Sequence, residues 1–254
     1  MLSALLSTDI FKLLLILSRL GTAMMFMPGF NGTMVTPRSR LLLALCVSFV
    51  LLPTLAPQIP AMPPDPLTLF LMALGEITVG VFFGLFLQAL MVPVDLAGNF
   101  ISTAVGMTNA FVYDSVSAEQ SMIITGFLNT VVVTLLFLTD GHHMMLRALV
   151  DSYGLFKPGE GLPMGDFSQT LVRVMGESFS LGMRLCAPLV IFSLVFNVAL
   201  GLLNKLVPQM QVFFVGVPLQ LLIGLSVMMM ALPAMLWLFL TYFDNGLKNF
   251  LAAG

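Results

Sequence analysis

The chain has 254 residues, a formal net charge of -2, 59% hydrophobic residues and only 9% charged ones, with a mean hydropathy of +1.04. Soluble domains carry roughly 25% charged residues and about 45–50% apolar ones, so the apolar excess must face lipid, other subunits or both. With a net charge of -2, nothing in the composition points to nucleic acid as a partner.

A spanning helix needs about 20 mostly apolar residues. Residues 10–27 make the first such stretch, interrupted by Lys12 and Arg19. No basic residue precedes it and Pro28-Gly29 is a poor cleavage context, so it reads as a retained helix and not a signal peptide. Residues 31–40 are a short basic connector with Arg38 and Arg40, and residues 41–55 are the second apolar stretch. Pro57, Pro60, Pro63, Pro64 and Pro66 then predict a stiff, extended turn.

Residues 67–92 form the third apolar stretch. Residues 93–121 differ in kind. They open on Pro93, a helix breaker, are rich in Gly, Ser and Thr, and carry Asp95, Asp114 and Glu119 but no Lys or Arg. Residues 122–138 are the fourth stretch, 139–177 the most soluble-looking region, 179–203 the fifth and 212–240 the sixth. Pro218 and Pro233 predict a bend in the last. All six read as helices, because a dry environment leaves no water for unpaired backbone groups. Arg38, Arg40 and Lys205 favour the cytoplasmic side for their loops, which puts the N-terminus outside. The acidic connector 93–121 then falls on the cytoplasmic side without positive charge. That conflict marks it as buried, re-entrant or cavity-lining.

Several constellations carry chemistry. A charge at mid-bilayer costs several kcal/mol, so Lys12, Arg19, Glu76 and Arg184 should face a partner, a cavity or the interface. Lys12, near a helix end, can snorkel. Glu76 and Arg184 read as buried interhelical or intersubunit contacts, or else as the ion path of a secondary transporter. Such a transporter should show an internal repeat, and none is evident. Glu76, Gly80, Gly84 and Gln88 recur every four residues, one slanting stripe on a helix, where small residues admit a close neighbour. Cys46 and Cys186 lie in apolar stretches without metal-ligand spacing and read as buried thiols. In Asp140-Gly141-His142-His143, adjacent histidines point about 100° apart on a helix and chelate poorly. Asp140 reads instead as the N-cap of a helix through Met144–Val150. The twenty methionines suit adaptable packing surfaces. No residue is assigned to catalysis, to a cofactor or to a metal.

The run from Asn197 to Gln220, with Asn204, Lys205, Pro208, Gln211, Gly216 and Pro218, resembles the FliR family of flagellar type III export-gate subunits. Glu76-Ile-Thr-Val-Gly80-Val-Phe-Phe-Gly84, Asp140-Gly-His-His, Arg19-Leu-Gly21 and Met27-Pro28-Gly29 are similar to that family as well. The resemblance spans essentially the whole chain and extends to the homologous subunit of virulence injectisomes. It implies an all-α, polytopic membrane-type protein with broken or kinked helices. Residues 1–177 would be a FliP-like part and 178–254 a FliQ-like helical hairpin with a tail, built with FliP and FliQ into a helical hetero-oligomer. Such a subunit is not an enzyme. It would sit in the bacterial inner membrane, in the flagellar basal body, among other export proteins, and pass unfolded protein substrates. Residues 106–122 would correspond to the family's plug loop, with Gly106, Met107, Asn109, Phe111, Tyr113 and Asp114 facing the pore. Glu76, Gly80, Gly84, Gln88, Arg184, Asn197, Lys205, Pro208, Gln211 and Pro218 would pack helices or subunits.

Overall fold

Proline opens two of the helices, at a position where its missing N–H costs nothing. In this computed structural model, which describes residues 2–30, 35–107, 122–159, 164–206 and 212–252, Pro37 starts one helix and Pro66 another. The described helices are α1 (Leu2–Phe26), α2 (Pro37–Leu55), α3 (Pro66–Ala104), α4 (Met122–Leu138), α5 (Gly141–Leu155), α6 (Met164–Leu206) and α7 (Val212–Ala252), with a 3-10 turn at Ala56–Gln58. There is no strand among the described residues, so the all-α reading holds. Thr36 starts α2 by accepting a hydrogen bond from the Ser39 amide at 3.3 Å.

Four helical segments are long and apolar enough to cross a membrane: Pro37–Gln58, Pro66–Ala104, Gly165–Leu206 and Gly216–Leu251. Ile123–Leu138 with Gly141–Leu155 makes a fifth if taken as one broken span.

Sequence boundaries failed where burial outweighed a local signal. Pro93 does not end the third helix; α3 runs through it to Ala104. An interior proline costs about 3 kcal/mol. Beyond it Val94, Ala97, Ile101 and Ala104 fall on one helical face, and all four are buried. Burying one Val or Ile side chain contributes about 1.5–3 kcal/mol, so this face offsets the proline. The apolar arm expected from residue 179 belongs to a helix that begins at Met164, and α7 runs past both Pro218 and Pro233. Cys46 is exposed, not buried. The reason is the narrow buried face of α2, reduced to Ala44, Ser48 and Leu55.

The chain divides into two compact units. The first comprises Met1–Leu90, Asp140–Val174 and Gly246–Gly254; the second comprises Met91–Thr139 and Met175–Asn245. Residues 177 and 178, where the FliP-like and FliQ-like parts were divided by resemblance, lie inside α6. In the first unit, Phe11, Leu15 and Ile16 of α1 pack with Leu55, Ile59 and Tyr153. An aromatic group ties in the end of α7. Phe82 stacks on Phe167 at 3.9 Å, and Phe250 lies 4.7 Å from Phe86 and 5.5 Å from Phe83.

The second unit has an apolar core that includes Leu128, Leu136, Leu189, Phe239 and Phe243, and adds polar contacts and close approaches. Asn129 donates to Asp95 at 2.6 Å, and Ser178 shares a 2.8 Å hydrogen bond with Tyr242. Gly98 lies against Thr125, Gly182 against Leu96, and Gly216 against Leu200. At each, an added Cβ would meet its neighbour at 2.6–2.9 Å.

Candidate functional site

The buried charges of the first unit lie where α1, α3 and α5 meet. α1 presents Phe11, Leu15, Ile16, Leu20 and Ala23 as a buried apolar stripe, and Arg19 lies within it, 0% exposed. α3 supplies Glu76, 3% exposed. Arg19 Nε donates to Glu76 Oε2 at 2.6 Å and Nη2 donates to Oε1 at 3.0 Å. This two-pronged geometry is the strongest form of an arginine–carboxylate pair.

The same guanidinium binds the end of α5. Nη2 donates to the Phe156 carbonyl at 2.7 Å and Nη1 to Ser152 Oγ at 3.4 Å. Its carbon lies 3.9 Å from the centre of the Tyr153 ring, a cation–π contact. A cation is favoured at a helix C-terminus, where carbonyls lack partners. One side chain of α1 thus binds a carboxylate on α3 and the last turn of α5. The Tyr153 hydroxyl is itself buried and makes no hydrogen bond with any described residue.

The stripe on α3 continues this contact. Glu76 meets Arg19, Gly80 lies at the Arg19 carbonyl and the Thr22 hydroxyl, and Gly84 lies against Phe26. Both helices advance together, so α1 and α3 run parallel. A Cβ at Gly80 would collide with the Arg19 backbone, and one at Gly84 would come within 2.6 Å of Phe26 Cβ. Gln88 is half-buried further along.

In the second unit the root of the acidic connector is a polar latch. α3 stops at Ala104, and Gly106 follows with a left-handed φ of 84°, a conformation that favours glycine at helix ends. Gln220 of α7, 3% exposed, donates from Nε2 to the Ala104 carbonyl at 2.9 Å. A Cβ at Gly106 would come within 3.0 Å of the Gln220 amide carbon. Met107 follows, half-buried. Asn109, Phe111, Tyr113 and Asp114 lie outside the described residues. Beside the latch an open groove of about 490 Å³ is lined by Phe100 and Thr103 of α3 and by Val190, Ser193, Leu194 and Asn197 of α6, among others.

The remaining sequence candidates are scattered. Arg184 is exposed on α6, in the second unit, without a polar partner among the described residues. Asn197 is exposed and bonds its own helix at Ser193. Lys205 is in the last turn of α6, Pro218 is exposed inside α7, and Pro208 and Gln211 lie outside the described residues.

Asp140 corrects the capping expectation. It does precede α5, and its carbonyl accepts from the His143 and Met144 amides. However, its backbone is left-handed (φ 59°, ψ 18°) and its side chain makes no capping hydrogen bond. A capping side chain is placed by an extended backbone, and the left-handed turn carries this carboxylate to His143 Nδ1 instead, at 3.1 Å.

Sequence reasoning named Arg19 and Glu76 but did not pair them, and it missed Tyr153, Ser152 and Gln220. The available signal was two opposite charges buried in alternate helices.

The family model described as bacterial export proteins, family 1, matches residues 10–246. The chain is 33% identical over 225 residues to the flagellar biosynthetic protein FliR of Caulobacter vibrioides, covering 88% of this chain and 90% of that protein. The FliR proteins of Aquifex aeolicus and Escherichia coli are each 31% identical, over 87% of this chain and 85% and 82% of their own lengths. The chain belongs to the FliR family of bacterial export proteins.

Proposed function

We propose that this chain is a core subunit of the flagellar type III export gate, in the bacterial inner membrane at the flagellar basal body. With FliP-like and FliQ-like subunits it forms the conduit for unfolded flagellar proteins across that membrane. The observation that carries this reading is the family match along residues 10–246, with relatives named as flagellar biosynthetic proteins. The helices support it physically. Only 17% of the most apolar stretch of each of α2, α6 and α7 is buried within the chain, against 67% for α3. Surfaces that apolar need lipid or sibling subunits.

In this role the part up to residue 177 is FliP-like and the part from 178 a FliQ-like hairpin. Residues 106–122 act as a plug that keeps the pore closed to ions between substrates. The conduit performs no chemistry of its own; other export proteins supply energy and targeting. Glu76 does not serve an ion path with Arg184, because it is already paired with Arg19.

Co-expression of the chain with FliP-like and FliQ-like subunits, followed by purification through a tag on this chain, tests the reading. All three should elute as one complex. A monodisperse monomer that leaves both subunits behind would overturn it. Deleting residues 106–114 should raise ion conductance of that complex in liposomes while leaving it assembled, and an unchanged conductance would remove the plug.

A further inference from the structure

The geometry points to a divalent transition-metal site at the turn into α5, formed by Asp140, His142 and His143. The chain has only two histidines, and both are here. One ligand atom from each of the three residues lies within 4.8 Å of the others. Asp140 Oδ1 and His143 Nδ1 are 3.1 Å apart, and the two imidazole centroids are 4.0 Å apart with the rings tilted by 39°. Adjacent positions on a regular helix diverge by about 100°. Here the rings lie side by side in the first turn, with His143 Nδ1 at the Asp140 carboxylate and a His142 nitrogen within 4.8 Å of both ligand atoms.

The distances fit a small ion. Bonds of about 2.1 Å in a tetrahedral site place ligand atoms about 3.4 Å apart. The Asp140–His143 separation is already near that value, and side-chain rotation closes the rest. Asp140 and His143 are exposed, so their side chains can turn and water can complete the shell, while His142 is half-buried. The backbone favours this use of Asp140. Its left-handed conformation withdraws the carboxylate from capping and aims it at the histidines.

Donor chemistry sets the class of ion. Two imidazoles and one carboxylate suit Zn²⁺, Ni²⁺ or Cu²⁺, whereas Mg²⁺ and Ca²⁺ prefer shells of oxygen. The site resembles three-ligand zinc centres that keep one position open to water. Its effect would be to clamp the turn at the start of α5. The site does not depend on the export reading.

The test uses the full chain purified in detergent through a tag without histidine, stripped with chelator and titrated with Zn²⁺ against a chromophoric indicator. One equivalent should bind per chain. Asp140→Asn keeps a residue that tolerates the left-handed backbone and should weaken binding at least tenfold. His142→Gln with His143→Gln should abolish it. Cu²⁺ bound to the unaltered chain should show nitrogen hyperfine coupling from two imidazoles, a readout independent of how the variants fold. No saturable Zn²⁺ binding, unchanged binding in the double variant, or a Cu²⁺ spectrum without nitrogen coupling would each overturn the site and leave an adventitious ion only.

Discussion

The meeting point of α1, α3 and α5 and the arm of α6 beyond Met183 solve opposite problems. In the first, charge is sealed inside: Arg19 and Glu76 are almost wholly buried, and Arg19 reaches α3 and α5 at once. In the second, apolar surface is left outside. Ile191, Leu194, Val195, Val198 and Leu202 are all more than half exposed, and Arg184 stands near them unpaired among the described residues. One region is complete within the chain; the other requires something beyond it. The lesson concerns charges in apolar helices. A buried charge whose partner lies on a neighbouring helix of the same chain is architecture, whereas Arg184, exposed on an apolar arm, has no such role among the described residues.

The comparison can be broken by mutation, and the largest effect should come from splitting the ion pair. Glu76→Ala leaves a buried guanidinium without its carboxylate, which costs about 3–5 kcal/mol. The apparent melting temperature of the purified complex should fall sharply. Arg19→Met combined with Glu76→Leu removes both charges and should recover much of the loss, since apolar replacement of a whole buried pair is often neutral. If the double variant is as unstable as the single, the pair does more than join helices.

Gly80→Ala comes next. Its methyl group has no room against the Arg19 backbone, and overpacking of this kind costs about 1–3 kcal/mol. Gln220→Leu should cost a similar amount, about 1–3 kcal/mol, because it withdraws the donor from a buried carbonyl at the connector root. That variant sharpens the comparison, for it perturbs the second unit through an internal bond. It should destabilise the purified chain itself, and not only its assembly.

The smallest effect, and of opposite sign, is expected at Tyr153→Phe. The ring face over Arg19 stays, while a buried hydroxyl without a hydrogen-bond partner among the described residues is removed. Stability measured by thermal melting should be unchanged or higher by up to about 1 kcal/mol. A loss beyond that would mean the hydroxyl is bonded in the working protein.

Much of this was legible in the sequence, and the failures have a common cause. The bounds of α4 were readable because the apolar run 122–138 has clear edges. The four-residue recurrence through Glu76, Gly80 and Gly84 placed one face of α3 correctly on a helix. The route of α3 through Pro93 was hidden, since a proline is a local signal and the buried face 94–104 that overrides it is tertiary. Arg19 and Glu76 are 57 residues apart, and nothing local says that α1 and α3 lie side by side. Apolar neighbours in sequence suggest a buried Cys46, but most of the apolar residues around it on α2 are themselves exposed. Where the most apolar stretches of α2, α6 and α7 are only 17% buried within the chain, hydrophobicity does not report burial.

Site-specific photo-crosslinking in cells tests the proposed assembly with FliP-like and FliQ-like subunits most directly. A photoreactive residue at Val195, on the exposed arm of α6, should form a covalent adduct with a FliP-like or FliQ-like polypeptide, while the same probe at buried Ala23 on α1 should give none to another chain. Adducts with lipid alone at Val195 would contradict the account, because the arm would then face the bilayer and not a partner.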